Sequence, residues 1–162
     1  LNKAEDTGAG HLGETAFGSG IYYQYVCVNC DLLIENLGGD KELAARGIEA
    51  LAKALPQTAP AGKQNSFAHR PMAFYMRAEA GPRPPRDLSG AFFSPVDSKL
   101  RDLGANDLQR GSIKAMEQTA VQIDLCYYDG QAEKTCSPLN TLDGTGTLSE
   151  IVRFAGEAVR GA

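Results

Sequence analysis

The chain has 162 residues, the length of one domain, and its 43% hydrophobic and 22% charged residues are typical of a globular protein. Its formal net charge of −4 at pH 7 argues against a protein that binds nucleic acid alone through an overall basic surface, although a local basic groove remains compatible with it. No apolar run approaches the roughly 20 residues of a membrane-spanning helix and no signal peptide is recognisable, so the expected location is cytoplasmic.

Residues 2–20 are rich in glycine, serine and charge and have no helical or strand periodicity, which predicts a loop. The segment contains a GxGxxG spacing that starts at Gly8. A dinucleotide-binding loop requires a strand before this motif and a helix after it, whereas here a polar tail precedes it and a strand-like run follows. We therefore interpret it as a mobile loop whose Leu12 and Phe17 could contact a flat group such as a base.

A strand, a helix and a second strand are predicted next. Residues 21–28 (IYYQYVCV) are β-branched and aromatic and lack a polar face, which favours a strand covered on both sides. Residues 31–37 continue as the end of that strand or as a short helical turn. Asp40 can cap a helix over residues 40–55, whose apolar side chains recur every three or four positions. The second strand is predicted at residues 72–78.

The remainder of the chain predicts helices joined by loops. Residues 95–103 could form a short helix, and residues 112–125 carry a second apolar stripe at helical spacing. Residues 127–138 are predicted to be a loop with a weak hairpin signal at its Asp-Gly dipeptide. A capping-box pattern that begins at Thr147 predicts a final amphipathic helix.

The four cysteines are Cys27, Cys30, Cys126 and Cys136. The first two form a CxxC motif, but a zinc site would require a second pair of ligands at matching spacing. A redox-active pair would stand at the start of a helix. This pair ends the predicted strand, so its two thiols should point to opposite faces. We therefore expect buried thiols, with a structural metal site as the alternative.

Titratable residues form no recognisable catalytic arrangement. Neither His11 nor His69 has a serine, cysteine or carboxylate at the spacing of a known catalytic group. No paired carboxylates and no nucleophile elbow stand out. The sequence therefore predicts a protein that is not an enzyme.

Basic and polar residues flank the start of the second predicted strand. They are Lys63, Gln64, His69 and Arg70. A basic loop at the mouth of a strand can hold phosphates, and a solvated turn is an equally good interpretation. Three arginines further along, Arg77, Arg83 and Arg86, could extend such a groove or merely solvate an edge.

Several motifs occur in a fixed order along the chain. They are HLGETAFGSGIYYQYVCVN (residues 11–29), ENLGG (35–39), AGKQ (61–64) and the Thr-Leu opening of the last helix (147–159). In this order they resemble the CasC family, the backbone subunits of the type I-E CRISPR Cascade surveillance complex. The resemblance is strong up to about Arg70 and loose between residues 81 and 145.

The resemblance implies an α+β fold that contains the second half of a modified RRM-like, ferredoxin-type palm. Residues 1–20 would be the returning arm of a thumb loop, residues 21–80 the strand–helix–strand part of the palm, and residues 81–162 a helical extension of the same domain. Members of that family are considerably longer, so the chain would be the C-terminal portion of such a protein. Its incomplete sheet would expose an edge that invites pairing with another chain.

The resemblance also implies a non-catalytic structural subunit that binds the CRISPR guide RNA and polymerises along it. Its partners would be the guide RNA, the target DNA strand, further copies of itself and other Cascade subunits, with no cofactor, metal or membrane involved. Carried over by position, His11, Leu12 and Gly13 fall on the thumb, with Leu12 near a displaced nucleotide. Lys63 and Gln64 fall on a palm loop that approaches the RNA backbone.

The predicted RNA-binding residues are therefore His11, Leu12, Gly13, Lys63, Gln64 and Arg70. The alternative function is a small cytoplasmic metal- or redox-binding domain that uses Cys27 and Cys30.

Overall fold

A computed structural model describes residues 18, 20–58, 62, 64–96, 107–131, 134–135 and 138–162. Within these ranges helices dominate and the strands are short and antiparallel, so the predicted α+β class is confirmed. No helix of the described ranges combines the length and the apolar character that crossing a membrane requires.

The helices are α1 (Cys30–Asn36), α2 (Lys41–Ala54), α3 (Gln64–Phe67), α4 (Asp107–Tyr127) and α5 (Leu148–Arg160). Single 3₁₀ turns cover Leu55–Gln57 and Ser89–Phe92. The strands are β1 (Tyr75–Met76), β2 (Glu79–Ala80), β3 (Lys134–Thr135) and β4 (Leu139–Asn140).

Polar caps begin three of the helices. The side chains of Asn29 and Asp40 accept hydrogen bonds from the backbone N–H groups of Leu32 and Leu43, in the first turns of α1 and α2. Thr147 does the same for Glu150 at the start of α5, and its hydroxyl donates to the Glu150 carboxylate. The predicted starts of α2 and α5 are thereby confirmed.

Helices α1, α2 and α5 pack together around small side chains. Ala44, Ala45 and Val159 are fully buried there. Gly38 and Gly39, with φ of +68° and +86°, allow the sharp connection from α1 to α2 that this packing needs. We call this unit the helical cluster; its half-buried members are Cys30, Leu33, Ile34, Leu37 and Ile48.

A second core forms where α4 packs against the 3₁₀ turn Ser89–Phe92 and the strands. Leu88, Met116 and Ala120 are buried, and Tyr75 and Phe92 pack against them. The further half-buried members of this core, which we call the ribbon cluster, are Ala91 and Ile123.

Two short antiparallel ladders accompany the ribbon cluster. In the first, β1 pairs with β4, so that Tyr75 lies opposite Asn140. In the second, β2 pairs with β3, with Glu79 opposite Thr135, and the register is displaced by one residue from that of the first ladder. The ladders therefore join residues far apart in the sequence.

The predicted strand over residues 21–28 is wrong. These residues have no strand partner among the described residues, and all of them except Ile21 are exposed. Their β-propensity is not realised because a strand needs a neighbouring backbone and a packed face. The strand–helix–strand order predicted for residues 21–80 therefore lacks its first strand here, and pairing of an open edge with another chain stays a prediction.

Other predicted elements shift in type or length. For residues 31–37 the helical alternative is the correct one, since α1 covers residues 30–36, and α4 extends beyond residues 112–125 at both ends. The predicted second strand shrinks to β1. The short helix at residues 95–103 falls mostly outside the described residues.

The predicted hairpin at Asp129-Gly130 is also wrong. Both residues have positive φ, and the Gly130 N–H bonds to the carbonyl of Asp124, which closes the end of α4. No hairpin forms because the following strand, β3, pairs with β2 instead.

Candidate nucleic-acid interface

The polar loop before β1 contains the predicted site residues that the structure describes. Gln64 begins α3, and its side-chain Nε2 donates a hydrogen bond of 2.8 Å to the carbonyl of His69. Ala68, between them, has a left-handed φ of +46°. This hydrogen bond joins the two ends of the loop, and the next residue, Arg70, is exposed.

His11, Leu12, Gly13 and Lys63 lie outside the described residues. Gln64 and Arg70 stand at the two ends of one small loop, as their proximity in sequence suggests. Their roles differ, however. The Gln64 amide group holds the loop backbone, whereas the exposed guanidinium of Arg70 can meet a phosphate.

The arginines predicted to extend this groove are part of the ribbon cluster. Arg86 bonds to both oxygens of Glu79 and, at 2.7 Å, to Oδ1 of Asp124. Arg77 donates to Glu79 as well, at 2.7 Å. The Arg86 and Asp124 side chains are only 10% and 8% exposed. Both interpretations from sequence, a phosphate groove and a solvated edge, are therefore wrong for Arg77 and Arg86.

The electrostatics of this network are those of a structural ion cluster. Burial by itself would raise the pKa of Glu79, but the hydrogen bonds and charges of Arg86 and Arg77 outweigh it and hold that pKa below its usual value. Hydrogen bonds to Glu79 raise the pKa of Arg86 despite its desolvation. The network therefore stays charged at neutral pH.

Arg83 is also engaged within the molecule. Its Nη1 donates to the carbonyl of Gln131 at 2.7 Å, and its guanidinium lies 4.0 Å from the centre of the Tyr128 ring. These contacts fasten the Pro-rich segment to the turn that follows α4.

An exposed aromatic segment was missed by sequence reasoning. Tyr22 is 87% exposed, and Tyr25 is exposed as well. Tyr23 anchors the segment: its hydroxyl accepts a hydrogen bond from the Leu88 N–H, and its ring packs on Phe92 at 5.8 Å between centroids. Exposed rings held on an anchored backbone can stack on bases. The three tyrosines within residues 22–25 were the available signal. They were assigned to a covered strand, so their exposure was not predicted.

The cysteines differ from the prediction. Cys27 is exposed, so the expectation that it is buried is wrong, and Cys30 is half-buried as the first residue of α1. The structure therefore places the pair at the entrance to a helix. In the described part of the chain, no group of three or more histidine, cysteine, aspartate or glutamate residues is arranged to hold a metal ion.

Comparison with known proteins gives one result. A family model described as CT1975-like protein, of the CRISPR-associated (Cas) type, matches residues 1–152. No curated protein and no solved structure gives a significant match.

Proposed function

The chain belongs to the CT1975-like family of CRISPR-associated proteins, and we propose that it is a non-catalytic, RNA-binding structural subunit of a CRISPR effector complex. The observation that carries this proposal is the extent of the family match, which covers residues 1–152 and so spans the glycine-rich arm, the polar loop and the start of the last helix. In the finer form of the proposal the subunit is of the CasC type. Copies of it polymerise along the guide RNA beside other Cascade subunits.

The polar loop supports a contact with the RNA backbone. Gln64 holds its shape through the hydrogen bond to His69, so Arg70 projects from a pre-organised turn. A guanidinium on a fixed backbone binds phosphate oxygens without reading the base. Contacts of this kind leave the bases of a guide open for pairing with a target strand.

The distribution of charge supports the same role. Arg77 and Arg86 are neutralised inside the ribbon cluster, and Arg160 is paired with two glutamates on the helical cluster. These side chains are occupied by the fold. The exposed Arg70, together with Lys63, is therefore the proposed local basic site on a chain whose net charge is negative.

A non-catalytic role is supported by the positions of the shifted pKa values. The clear shifts have structural causes: ion pairing outweighs burial for Glu79 and Arg86 and acts likewise on Glu42 and Arg160, and burial is the main cause for Tyr75, Tyr23 and Cys30. Displaced pKa values point to catalysis when they line a cleft, and to structure when they form an internal ion network.

The proposal is tested by the salt dependence of RNA binding. We expect Arg70→Gln and Lys63→Gln each to weaken binding of a fluorescein-labelled single-stranded RNA of guide length, measured by anisotropy. Each should also reduce the slope of log affinity against log salt by about 0.7, the value for one phosphate contact on a single strand.

The matched control is Arg153→Gln on α5, whose side chain is 70% exposed and lies 4.0 Å from Glu157. It removes the same charge from a surface that the proposal leaves out. If all three variants bind RNA with the affinity and salt slope of the unchanged protein, the polar loop is not the interface.

The thumb assignment needs a separate experiment. We propose that His11, Leu12 and Gly13 belong to an arm that contacts the guide–target duplex. In the assembled complex, Leu12→Ala should weaken binding of the complementary DNA strand more than binding of the guide RNA. An equal loss of both affinities would contradict the assignment.

A further inference from the structure

Residues 21–28, which we call the aromatic segment, lie on the surface with an unused backbone. Among the residues that the structure describes, no N–H group of this segment has a hydrogen-bond partner, and the carbonyl of Val28 has only a weak contact of 3.9 Å from the Cys30 thiol. The side chains are exposed along most of its length, with Tyr22 at 87% and Tyr25 at 44%. Free backbone groups on an exposed, β-prone segment are a template for pairing with another strand.

Two contacts hold the aromatic segment in place. The hydroxyl of Tyr23 accepts a hydrogen bond of 3.1 Å from the Leu88 N–H, and the Tyr23 ring packs on Phe92 of the ribbon cluster. Directly after the segment, Asn29 caps α1. Because the segment is attached to folded structure at two points, it loses less conformational entropy on pairing than a free peptide of the same sequence would.

The composition of the aromatic segment favours a second copy of itself as the partner. The run IYYQYVCV contains no charged residue, so two identical segments meet without repulsion between like charges. It contains no proline or glycine and is rich in aromatic and β-branched residues, which is the composition of segments that pair with themselves. Natural edge strands often carry a lysine or a proline that prevents such pairing, and neither occurs within this segment.

The position of Gln24, the one amide side chain of the segment, indicates the register. In an antiparallel pair centred on Gln24, this residue lies opposite its own copy, and each amide group can both donate and accept. Tyr23 then lies opposite the partner's Tyr25, and Tyr22 lies opposite the partner's Val26. Aromatic–aromatic and aromatic–β-branched pairs are favourable across strands. Other registers leave the Gln24 amide opposite an apolar side chain, a tyrosine or a thiol.

We propose that the protein without RNA forms a two-fold symmetric dimer in which the aromatic segments of two copies pair as antiparallel strands, with Gln24 on the axis. Such a contact uses the same surface on both copies and therefore closes at two, unlike an open array along a guide RNA. A two-stranded ribbon is marginal by itself, so the dimer is weak and forms at high concentration. The dimer does not depend on the proposed binding of RNA.

Sedimentation equilibrium without RNA and under reducing conditions tests the proposal, over a concentration series that reaches the millimolar range. We expect the average mass to rise from 17.2 kDa toward twice that value and no further. Tyr22→Lys should keep the chain monomeric over the same range, because it places a charge within the paired strands. The matched control is Tyr127→Lys at the end of α4, where the replaced side chain is 78% exposed.

The control variant should dimerise like the unchanged protein. A mass of one chain at every concentration, or equal dimerisation of the two lysine variants, would overturn the proposal.

Oxidative cross-linking tests the register in a chain whose four cysteines are replaced by serine. Gln24→Cys should give a disulfide-linked dimer, because the two new thiols face each other across the pair. Tyr22→Cys is the control, since the proposed register separates its two copies by about 13 Å along the strands, too far for a disulfide. If both variants cross-link at the same rate, the proposed register is wrong.

Hydrogen exchange distinguishes a second copy from other occupants of the aromatic segment. Its backbone amides should be protected at high protein concentration and exchange freely at low concentration. Protection at every concentration would mean that another part of the same chain pairs with the segment. Protection that requires added single-stranded RNA would mean that bases cover it. Either result overturns the dimer, whereas the RNA-binding proposal is judged separately by the Arg70 and Lys63 variants.

Discussion

The helical cluster and the ribbon cluster each contain an arginine that bridges two carboxylates, with nearly the same geometry. Arg160 bonds to Glu42 and Glu49 at 2.8 Å, and Arg86 bonds to Glu79 and Asp124 at 2.8 and 2.7 Å. The surroundings differ, because the Arg160 side chain is 38% exposed and that of Arg86 is 10% exposed.

This difference decides what each bridge contributes. Water and salt screen an exposed ion pair, so its formation changes stability little. The Arg86 bridge is almost fully buried and has lost most of its water, so each partner depends on the others for its hydrogen bonds. Equal distances therefore do not mean equal energies, and the ribbon cluster should be much more sensitive to the loss of one charge.

The largest expected effect is the loss of Arg86. We expect Arg86→Met to lower the free energy of unfolding by about 3–5 kcal/mol, because the buried Asp124 would lose its cation and Glu79 would keep only its bond to Arg77. Urea unfolding followed by circular dichroism measures this change.

Arg160→Met is the matched control for Arg86→Met. It removes the same charge and hydrogen bonds from the surface of the helical cluster, and we expect a clearly smaller loss of stability. If both variants lose the same free energy of unfolding, burial does not make the Arg86 bridge more important for stability than the Arg160 bridge.

The next largest effect is a loss of stability as the pH is lowered. The folded protein holds the pKa of Glu79 below its usual value, so the stabilisation is complete above the unfolded pKa of about 4.3 and disappears as the pH falls through the lower folded value. Urea midpoints measured downward from pH 7 should fall more steeply for the unchanged protein than for Glu79→Gln. If the two proteins lose stability equally as the pH falls, protonation of Glu79 is not coupled to unfolding.

A smaller effect at alkaline pH comes from Tyr75, whose hydroxyl donates to Glu117 at 3.2 Å. Burial and the Glu117 charge raise the pKa of Tyr75 to about 12. Because the raised value favours the protonated phenol in the folded state, the associated stability is present below pH 10 and disappears between pH 10 and about 12. A tyrosinate absorbance step near pH 12 should be absent from Tyr75→Phe; its persistence there would assign the step to another tyrosine.

The smallest expected effect lies between α2 and α5. A Cβ on Gly156 would overlap the Glu49 carboxylate, which is the end of a flexible side chain and can move away from Arg160. The better helix propensity of alanine, about 1 kcal/mol, opposes the loss of this surface pair, so Gly156→Ala should change the unfolding free energy by less than about 1 kcal/mol.

The same substitution in a Glu49→Ala background sharpens the test. With the carboxylate absent, the propensity gain should appear as about 1 kcal/mol of added stability. A loss of several kcal/mol in either background would show that the two helices cannot accommodate a methyl group at this contact.

Local signals in the sequence were sufficient for α2, α4 and α5, whereas α1 was left open between a strand end and a helical turn and α3 was not predicted. Asp40 and Thr147 cap α2 and α5 because a cap needs only its own side chain and the next turn of backbone. The apolar stripe of α4 was likewise recognisable, although its length was underestimated. Gln64 and Arg70 were predicted to lie in one polar loop, whereas the structure begins this segment with the single helical turn α3.

Contacts between distant parts of the chain could not be predicted from local sequence. Residues 21–28 have every local property of a strand, yet a strand exists only where a second backbone meets it. Arg86 looked like a surface charge because its partners include Asp124, which lies far along the chain on α4. The exposure of the aromatic segment was missed for the same reason.

By itself, the sequence determined the positions and caps of α2 and α5, the α+β class and the ordered motifs that agree with a CRISPR-associated family. These properties depend on contacts within a few residues or on the linear order of residues. Only the tertiary structure decided which arginines are taken up by an internal ion network, which arginines remain as exposed surface charges, and that Cys27 is exposed whereas Cys30 is half-buried. Those outcomes depend on burial and on pairs of residues that the fold brings together from distant parts of the chain. Neither can be deduced from a few neighbouring residues.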